Sequence, residues 1–124
     1  MIRVEEYIEA IYELSKKKEN IKVKDICNYL NLSPSTVSEM LQKLNDLGYV
    51  DYKKYRGAKL TKKGLYLAKK LNERHKILKE FFILIGVSEE TAEIDACKIE
   101  HIISEETLNK IEEFLKKLKS GKDV

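Results

Sequence analysis

Three residues near the end of the chain have types and spacing that suit a metal ion. Cys97, Glu100 and His101 stand at i, i+3 and i+4, so a helix sets all three on one face, and Glu93, one turn earlier, extends it. Thiolate, carboxylate and imidazole brought together there make a partial coordination shell for a divalent transition metal. The plain alternative is a packed cysteine beside a glutamate and a histidine that face solvent. Two features favour the metal. His75, the one other histidine, lies on the preceding long helical segment, which should run antiparallel to the segment carrying Cys97. The first helical segment also offers Glu6 and Glu9 at i and i+3.

A second set of residues suits DNA. Lys53, Lys54, Arg56, Lys59, Lys62, Lys63, Lys69 and Lys70 follow one another without a single Asp or Glu. Such runs usually coat a solvated face, so position must decide. Formal net charge is only +3, yet residues 1–70 carry 15 basic and 9 acidic side chains and the remainder 9 and 12. Upstream, Ser33, Ser35, Thr36 and Ser38 give one helix an N-terminal end of short hydroxyl side chains. Those let the backbone approach a base edge or phosphate while the helix dipole favours the anion. Gln42 and Lys43 lie further along the same exposed side.

The elements that must position these groups follow from apolar periodicity. Ile8, Ile11 and Tyr12 predict a helix over residues 5–17, and Ile26, Cys27 and Leu30 one over 24–30. Ser33 caps and Pro34 opens a third, to about residue 47, with Val37, Met40, Leu41, Leu44 and Leu47 as its apolar stripe and Gly48 as its stop. Residues 49–52 alternate like a strand, Arg56-Gly57 supplies a turn, and residues 58–60 return as its partner. Thr61, Ser88 and Ser104 then cap helices over about 62–85, 89–103 and 105–118, and the tail after Ser120 reads as disordered. Two short helices joined by a few residues, followed by a hairpin, are a helix-turn-helix with a wing.

The fold expected is therefore mainly α. An N-terminal winged helix-turn-helix DNA-binding domain with a small β-hairpin wing covers residues 1–70, and an all-helical dimerisation and metal-binding module covers 71–124. With 124 residues, 43% hydrophobic and 36% charged, the chain has room for one domain or a domain with a helical appendage, which excludes a large enzyme. In this frame the basic run falls on the wing and the start of the next helix, which flank the groove and grip phosphate. Ser33, Ser35, Thr36, Ser38, Gln42, Lys43, Lys53, Lys54, Arg56, Lys62 and Lys63 are the candidate DNA residues, with Arg56 suited to the minor groove. Two recognition helices must meet half-sites roughly 34 Å apart, which implies a homodimer on a double-stranded operator. Its candidate face is the long helix's apolar stripe and its Phe81-Phe82 end. No run approaches a membrane span and the N-terminus lacks the basic-then-apolar order of a leader, so a cytoplasmic protein with reduced Cys27 and Cys97 is expected.

The segments Glu6-Tyr7-Ile8-Glu9-Ala10-Ile11-Tyr12, Ser35-Thr36-Val37-Ser38, Lys54-Tyr55-Arg56-Gly57, Leu60-Thr61-Lys62-Lys63-Gly64, Arg74-His75 and Cys97-Lys98-Ile99-Glu100-His101 resemble the diphtheria-toxin-repressor family of iron and manganese regulators. The likeness covers nearly the whole chain. Its length is similar to that of the manganese transport regulator branch, which lacks the C-terminal SH3-like domain of the larger iron regulators. The resemblance implies metal ligands at Glu6, Glu9, His75, Cys97, Glu100 and His101, and a metal-dependent transcription regulator, a repressor, of metal-homeostasis genes. The match mixes branches: the iron branch has Met where this chain has Glu6 and Cys where it has Cys97, whereas the manganese branch is acidic at both. A soft thiolate favours Fe(II) over Mn(II) and the added carboxylate suits either, so Fe(II) comes first and Mn(II) second. The family's ancillary site is matched by His75 and Glu93, but Lys79 stands where an acidic residue is expected, with Glu80 beside it as a substitute.

The expected mechanism is allosteric. Metal ties the first helix to the helices after Leu71, and by linkage DNA raises metal affinity by the same factor. One rival is a winged-helix regulator answering to an organic ligand, or constitutive, with no metal site. An enzymatic rival, with Glu100 as base at an open metal site, lacks a second catalytic group.

Overall fold

The computed structural model describes residues 4–121. Among them α1 (Val4–Ser15), α2 (Val23–Leu30), α3 (Pro34–Asp46), β1 (Val50–Lys53), β2 (Gly57–Leu60), α4 (Lys62–Leu84), α5 (Glu89–Ile99) and α6 (Glu105–Lys119) follow in order. The class is mainly α with one small antiparallel hairpin, as the sequence predicts. The chain divides into two compact units, Met1–Lys70 and Leu71–Val124, and the division falls inside α4. Residues 1–3 and 122–124, on which the leader and tail readings partly rest, lie outside the described part. No described helix is long and apolar enough to cross a membrane.

In the N-terminal unit the apolar side of α1 (Tyr7, Ile8, Ile11) shares one buried core with Ile26 of α2, Val37, Leu41 and Leu44 of α3, and Val50 and Ala58 of the hairpin. α1 stops two residues earlier than predicted, where the Ser15 hydroxyl donates back to the Tyr12 carbonyl at 2.7 Å. At the start of α2 the Asp25 carboxylate accepts the Lys22 amide at 2.9 Å, satisfying a donor that the helix leaves free. That bond, with help from the Lys18 ammonium, holds the Asp25 carboxyl below its ordinary range. α3 opens as its sequence dictates, Ser33 accepting from the Thr36 amide and Pro34 in the first turn. Leu47, expected inside, is exposed because the helix ends one residue before it.

The hairpin pairs Val50 with Leu60 and Lys53 with Gly57. The left-handed turn residue is Tyr55, at φ 71°, rather than the Arg56-Gly57 pair the sequence suggested. Gly57 does something else. At φ 107° it opens β2, and a Cβ there would stand 2.8 Å from the Ile21 carbonyl oxygen. Ile21 and Ala58 exchange both backbone hydrogen bonds, at 3.0 and 2.8 Å, so the hairpin is stitched to the segment ahead of α2.

The C-terminal unit buries Leu78, Ala96 and Leu108, with Ile77, Phe82, Ile99, Ile103 and Ile111 packed around them. Ser88 and Ser104 cap α5 and α6 through the Thr91 and Thr107 amides. α5 is shorter than predicted, ending at Ile99 instead of near 103, because the Ile102 and Ile103 amides both turn back to the Ile99 carbonyl, at 3.0 and 2.9 Å. Glu100 keeps helical dihedrals and its amide still bonds Ala96, so it stays in line with Cys97, whereas His101 sits in the turn beyond. Leu65 and Leu118 are exposed, as are Ile83, Leu84 and Ile85.

Candidate nucleic-acid interface and metal centre

All eleven candidate DNA residues lie in the N-terminal unit, and all but the half-buried Ser38 are exposed. Their side chains are not equally available. Ser33 Oγ lies 3.3 Å from Ser35 Oγ and 2.9 Å from Thr36 Oγ1, a hydroxyl cluster over the first turn of α3. Gln42 donates to Asp46 one turn along its own helix, at 3.1 Å. Lys63 donates to the Leu47 carbonyl at 2.9 Å and lies over the Tyr49 ring, so it clamps the end of α3 to the start of α4. Lys53, Lys54 and Arg56 stand exposed on the hairpin, Lys54 against the Tyr55 ring.

One residue here escaped the sequence. Lys22 donates to the carbonyls of Tyr55 and Arg56, at 3.1 and 2.9 Å, and so holds the turn that displays Arg56. Nothing in a local pattern marks a bond across more than thirty residues.

In the C-terminal unit α4 supplies His75, α5 supplies Glu93 and Cys97, and the residue that caps its end is Glu100. One ligating atom each from His75, Cys97 and Glu100 lies within 4.8 Å of the others. His75 is the hub: its Nε2 is 2.5 Å from Glu93 Oε2 and its Nδ1 is 3.3 Å from Glu100 Oε1. Cys97 Sγ is 3.7 Å from the same Glu93 oxygen. The burial reverses the plain alternative, because Cys97 is exposed and Glu100 is the buried member, at 0%. A carboxylate taken fully out of water needs positive charge beside it, which a divalent cation supplies. Thiolate, imidazole and two carboxylates are a donor set for a first-row divalent metal, so the residues present fit such an ion.

His101 follows Glu100 and is half-buried, while Glu6 and Glu9 belong to α1 of the other unit and are also half-buried. Glu80, the expected substitute at the ancillary position, turns away and pairs with Lys119 at 2.7 Å. Lys79 instead lies 3.0 Å from Glu93 Oε1. That hydrogen bond, aided by the charge of His75, holds the Glu93 carboxyl below its usual range against the opposing effect of burial. Arg74 stands in the quoted Arg74-His75 segment, but nothing in the sequence assigned it a role. It donates to the Glu100 carbonyl at 2.9 Å and pairs with Glu105, pinning the turn that carries Glu100 and His101.

Comparison with known proteins agrees with both halves of this description. A family model described as the iron-dependent repressor N-terminal DNA-binding domain matches residues 1–58. One described as the iron-dependent repressor metal-binding and dimerisation domain matches residues 61–123. An uncharacterised HTH-type transcriptional regulator of Methanocaldococcus jannaschii is 42% identical over 118 residues, 94% of each chain. The HTH-type transcriptional regulator MntR of Lysinibacillus sphaericus is 40% identical over 98% of this chain and 87% of its own. Among solved structures, the manganese regulator SloR superposes with a TM-score of 0.78 at 32% identity over 94% of this chain. The chain spans only 54% of that protein's length. The chain belongs to the iron-dependent repressor family: it is not an enzyme but a metal-dependent transcription regulator of metal homeostasis, acting on double-stranded DNA as a homodimer, with a divalent metal as its effector.

Proposed function

We propose that this regulator represses its target genes when Fe(II), or as second choice Mn(II), binds at His75, Glu93, Cys97, Glu100 and His101. The observation that carries this reading is the convergence of His75, Cys97 and a fully buried Glu100. Glu6 and Glu9 join the ligand set on the family resemblance. The Cys97 thiolate supports Fe(II), and the manganese names of the relatives support Mn(II). Residues 1–70 read DNA in this scheme, and residues 71–124 dimerise and hold the effector, in the cytoplasm. The exposed Ile83, Leu84 and Ile85 at the end of α4 form the dimer face.

The metal supplies a divalent positive charge and a fixed ligand geometry. His75 offers a ring nitrogen as neutral imidazole, Cys97 a thiolate, and Arg74 keeps Glu100 and His101 in place through the Glu100 carbonyl. Whatever factor the metal adds to DNA affinity, DNA returns to metal affinity. The test is operator binding, with a duplex selected from a random pool, measured across Fe(II), Mn(II), Co(II) and Zn(II). Tightening by Fe(II) and Mn(II) supports the reading, and no metal response refutes it.

Exchanging Cys97 for Glu replaces the one soft donor by oxygen and should move the preference toward Mn(II). Competitive titration of Fe(II), Co(II) and Mn(II) checks this. An unchanged ranking would remove Cys97 from the ligand set.

On the DNA side, Lys53, Lys54, Arg56, Lys62 and Lys63 supply phosphate contacts from the wing and its exit, Lys63 from its place beside the Leu47 carbonyl. Neutralising Lys53 and Lys54 together should weaken binding to every sequence alike. It should also lower the slope of log K against log salt by about 0.9 for each lost contact. Salt titration by fluorescence anisotropy reads the slope, and an unaltered slope takes the wing out of the interface.

A further inference from the structure

We propose that Glu39 is a base-reading residue of this regulator: its carboxylate accepts a hydrogen bond from the amino group of a cytosine in the major groove of each operator half-site. This assignment rests on the reading of residues 1–70 as the DNA-binding part, with α3 as the helix that enters the groove.

α3 buries Val37, Leu41 and Leu44 on one side. At about 100° of turn per residue, Glu39 falls roughly 200° around the helix from Val37, opposite that buried stripe. Ser35 and Gln42 flank it on one side and Lys43 on the other, so Glu39 is the centre of the exposed face, in the second turn after the Ser33 cap. A recognition helix meets base edges with this part of its length. The polar groups around Glu39 are mostly engaged within the protein. Ser33 shares its hydroxyl with those of Ser35 and Thr36, and Gln42 is tied to Asp46. Lys43 stands one turn on, in the order that favours an i, i+4 ion pair. Even so, Glu39 makes no hydrogen bond or ion pair among the described residues. Its carboxylate keeps every acceptor site open.

An acid in that position is costly beside DNA unless a donor meets it. Phosphates line both rims of the major groove, and a carboxylate set between them is repelled by both and releases no counterions. The groove floor offers donors on two bases, the amino groups of cytosine and adenine. Adenine sets its N7 acceptor beside the amino group, so one carboxylate oxygen there would face a lone pair. Cytosine carries no acceptor beside N4 on its own groove edge, whereas guanine and thymine turn acceptors toward the helix. Charge and hydrogen bonding therefore both select cytosine. Glu39 gives specificity by exclusion as well as by attraction, and it lowers the affinity for DNA in general.

The test is selection of duplexes from a random pool on the full-length dimer, loaded with whichever of Mn(II) and Fe(II) tightens binding more. Fluorescence anisotropy on single-base variants of the enriched site then measures each position. For the wild type, one symmetric pair of positions should require cytosine, with a penalty of about tenfold or more for each other base. E39Q should move the preference there to adenine, whose amino group and N7 suit an amide. E39A should lose the preference at that pair, to within about twofold, and should bind random duplex more tightly because the repelling charge is gone. Glu, Gln and Ala are all good helix formers, so the three chains should fold alike, which circular dichroism verifies. A wild-type site with no required cytosine, an E39Q chain that still requires it, or an E39A chain that keeps it while gaining affinity for random duplex would each overturn base reading by Glu39 and leave α3 in the groove. An E39A chain unchanged both in its site and in its affinity for random duplex would instead place α3 outside the groove, and the reading of the DNA residues would fall with the proposal.

Discussion

Metal is expected to stop tightening operator binding altogether when His75 is replaced by Ala. His75 touches both acidic members of the cluster, Glu93 through Nε2 and Glu100 through Nδ1. It is also the nitrogen donor grouped with Cys97 and Glu100. Removing it deletes a directional ligand and at once takes an imidazole from beside a fully buried carboxylate. Allosteric couplings are typically worth about 1–3 kcal/mol, so in the wild type saturating metal should tighten operator binding on the order of 5- to 150-fold. In His75→Ala the ratio should fall to about 1, as when linkage is absent. Affinity without metal should be retained, because no candidate DNA residue lies beyond Lys63 on α4. Fluorescence anisotropy with and without Mn(II) gives both quantities, and sedimentation verifies the dimer. A variant that still tightens severalfold with metal would show that the effector acts elsewhere.

Gly64→Ala should destabilise the N-terminal unit severely. In a helix such a change is ordinarily favourable by up to about 1 kcal/mol. Here the added methyl would fall 2.1 Å from the Tyr49 carbonyl oxygen and 3.1 Å from Leu60 Cδ2. The obstructing atom is backbone, at the base of the wing, where Tyr49 O also accepts the Thr61 amide at 3.1 Å. It cannot swing aside as a flexible side chain would. Relief requires the start of α4 to move off the hairpin, at a cost of about 3 kcal/mol or more. Tyr66→Ala, two residues on and exposed, should stay within about 0.5 kcal/mol of the wild type. Urea unfolding followed by circular dichroism compares the two. Equal midpoints would mean that α4 and the wing are not in such close contact.

The elements of this protein are legible in one dimension because local physics decides them. Ser33, Ser88 and Ser104 each precede a helix and each accepts the amide three residues on, a bond that needs no tertiary partner. The apolar stripes of α1 and α3 likewise announce their buried faces, and the spacing of Cys97 and Glu100 survives the early end of α5 because Glu100 keeps helical dihedrals. What spacing could not determine is which member of the cluster loses contact with water. It is Glu100 and not Cys97, a choice made by packing around the α5–α6 turn and by the hold of Arg74 on the Glu100 carbonyl. Nor could it assign Lys22 to the wing turn, Lys63 to the end of α3, or Lys79 to Glu93. Lysine is a long, flexible cation whose partner depends on which carbonyl or carboxylate folding brings within reach. Charge type and helix face belong to the sequence, whereas the pairing of charges across elements belongs to the tertiary structure, because only folding sets the distances that Coulomb energy and desolvation depend on.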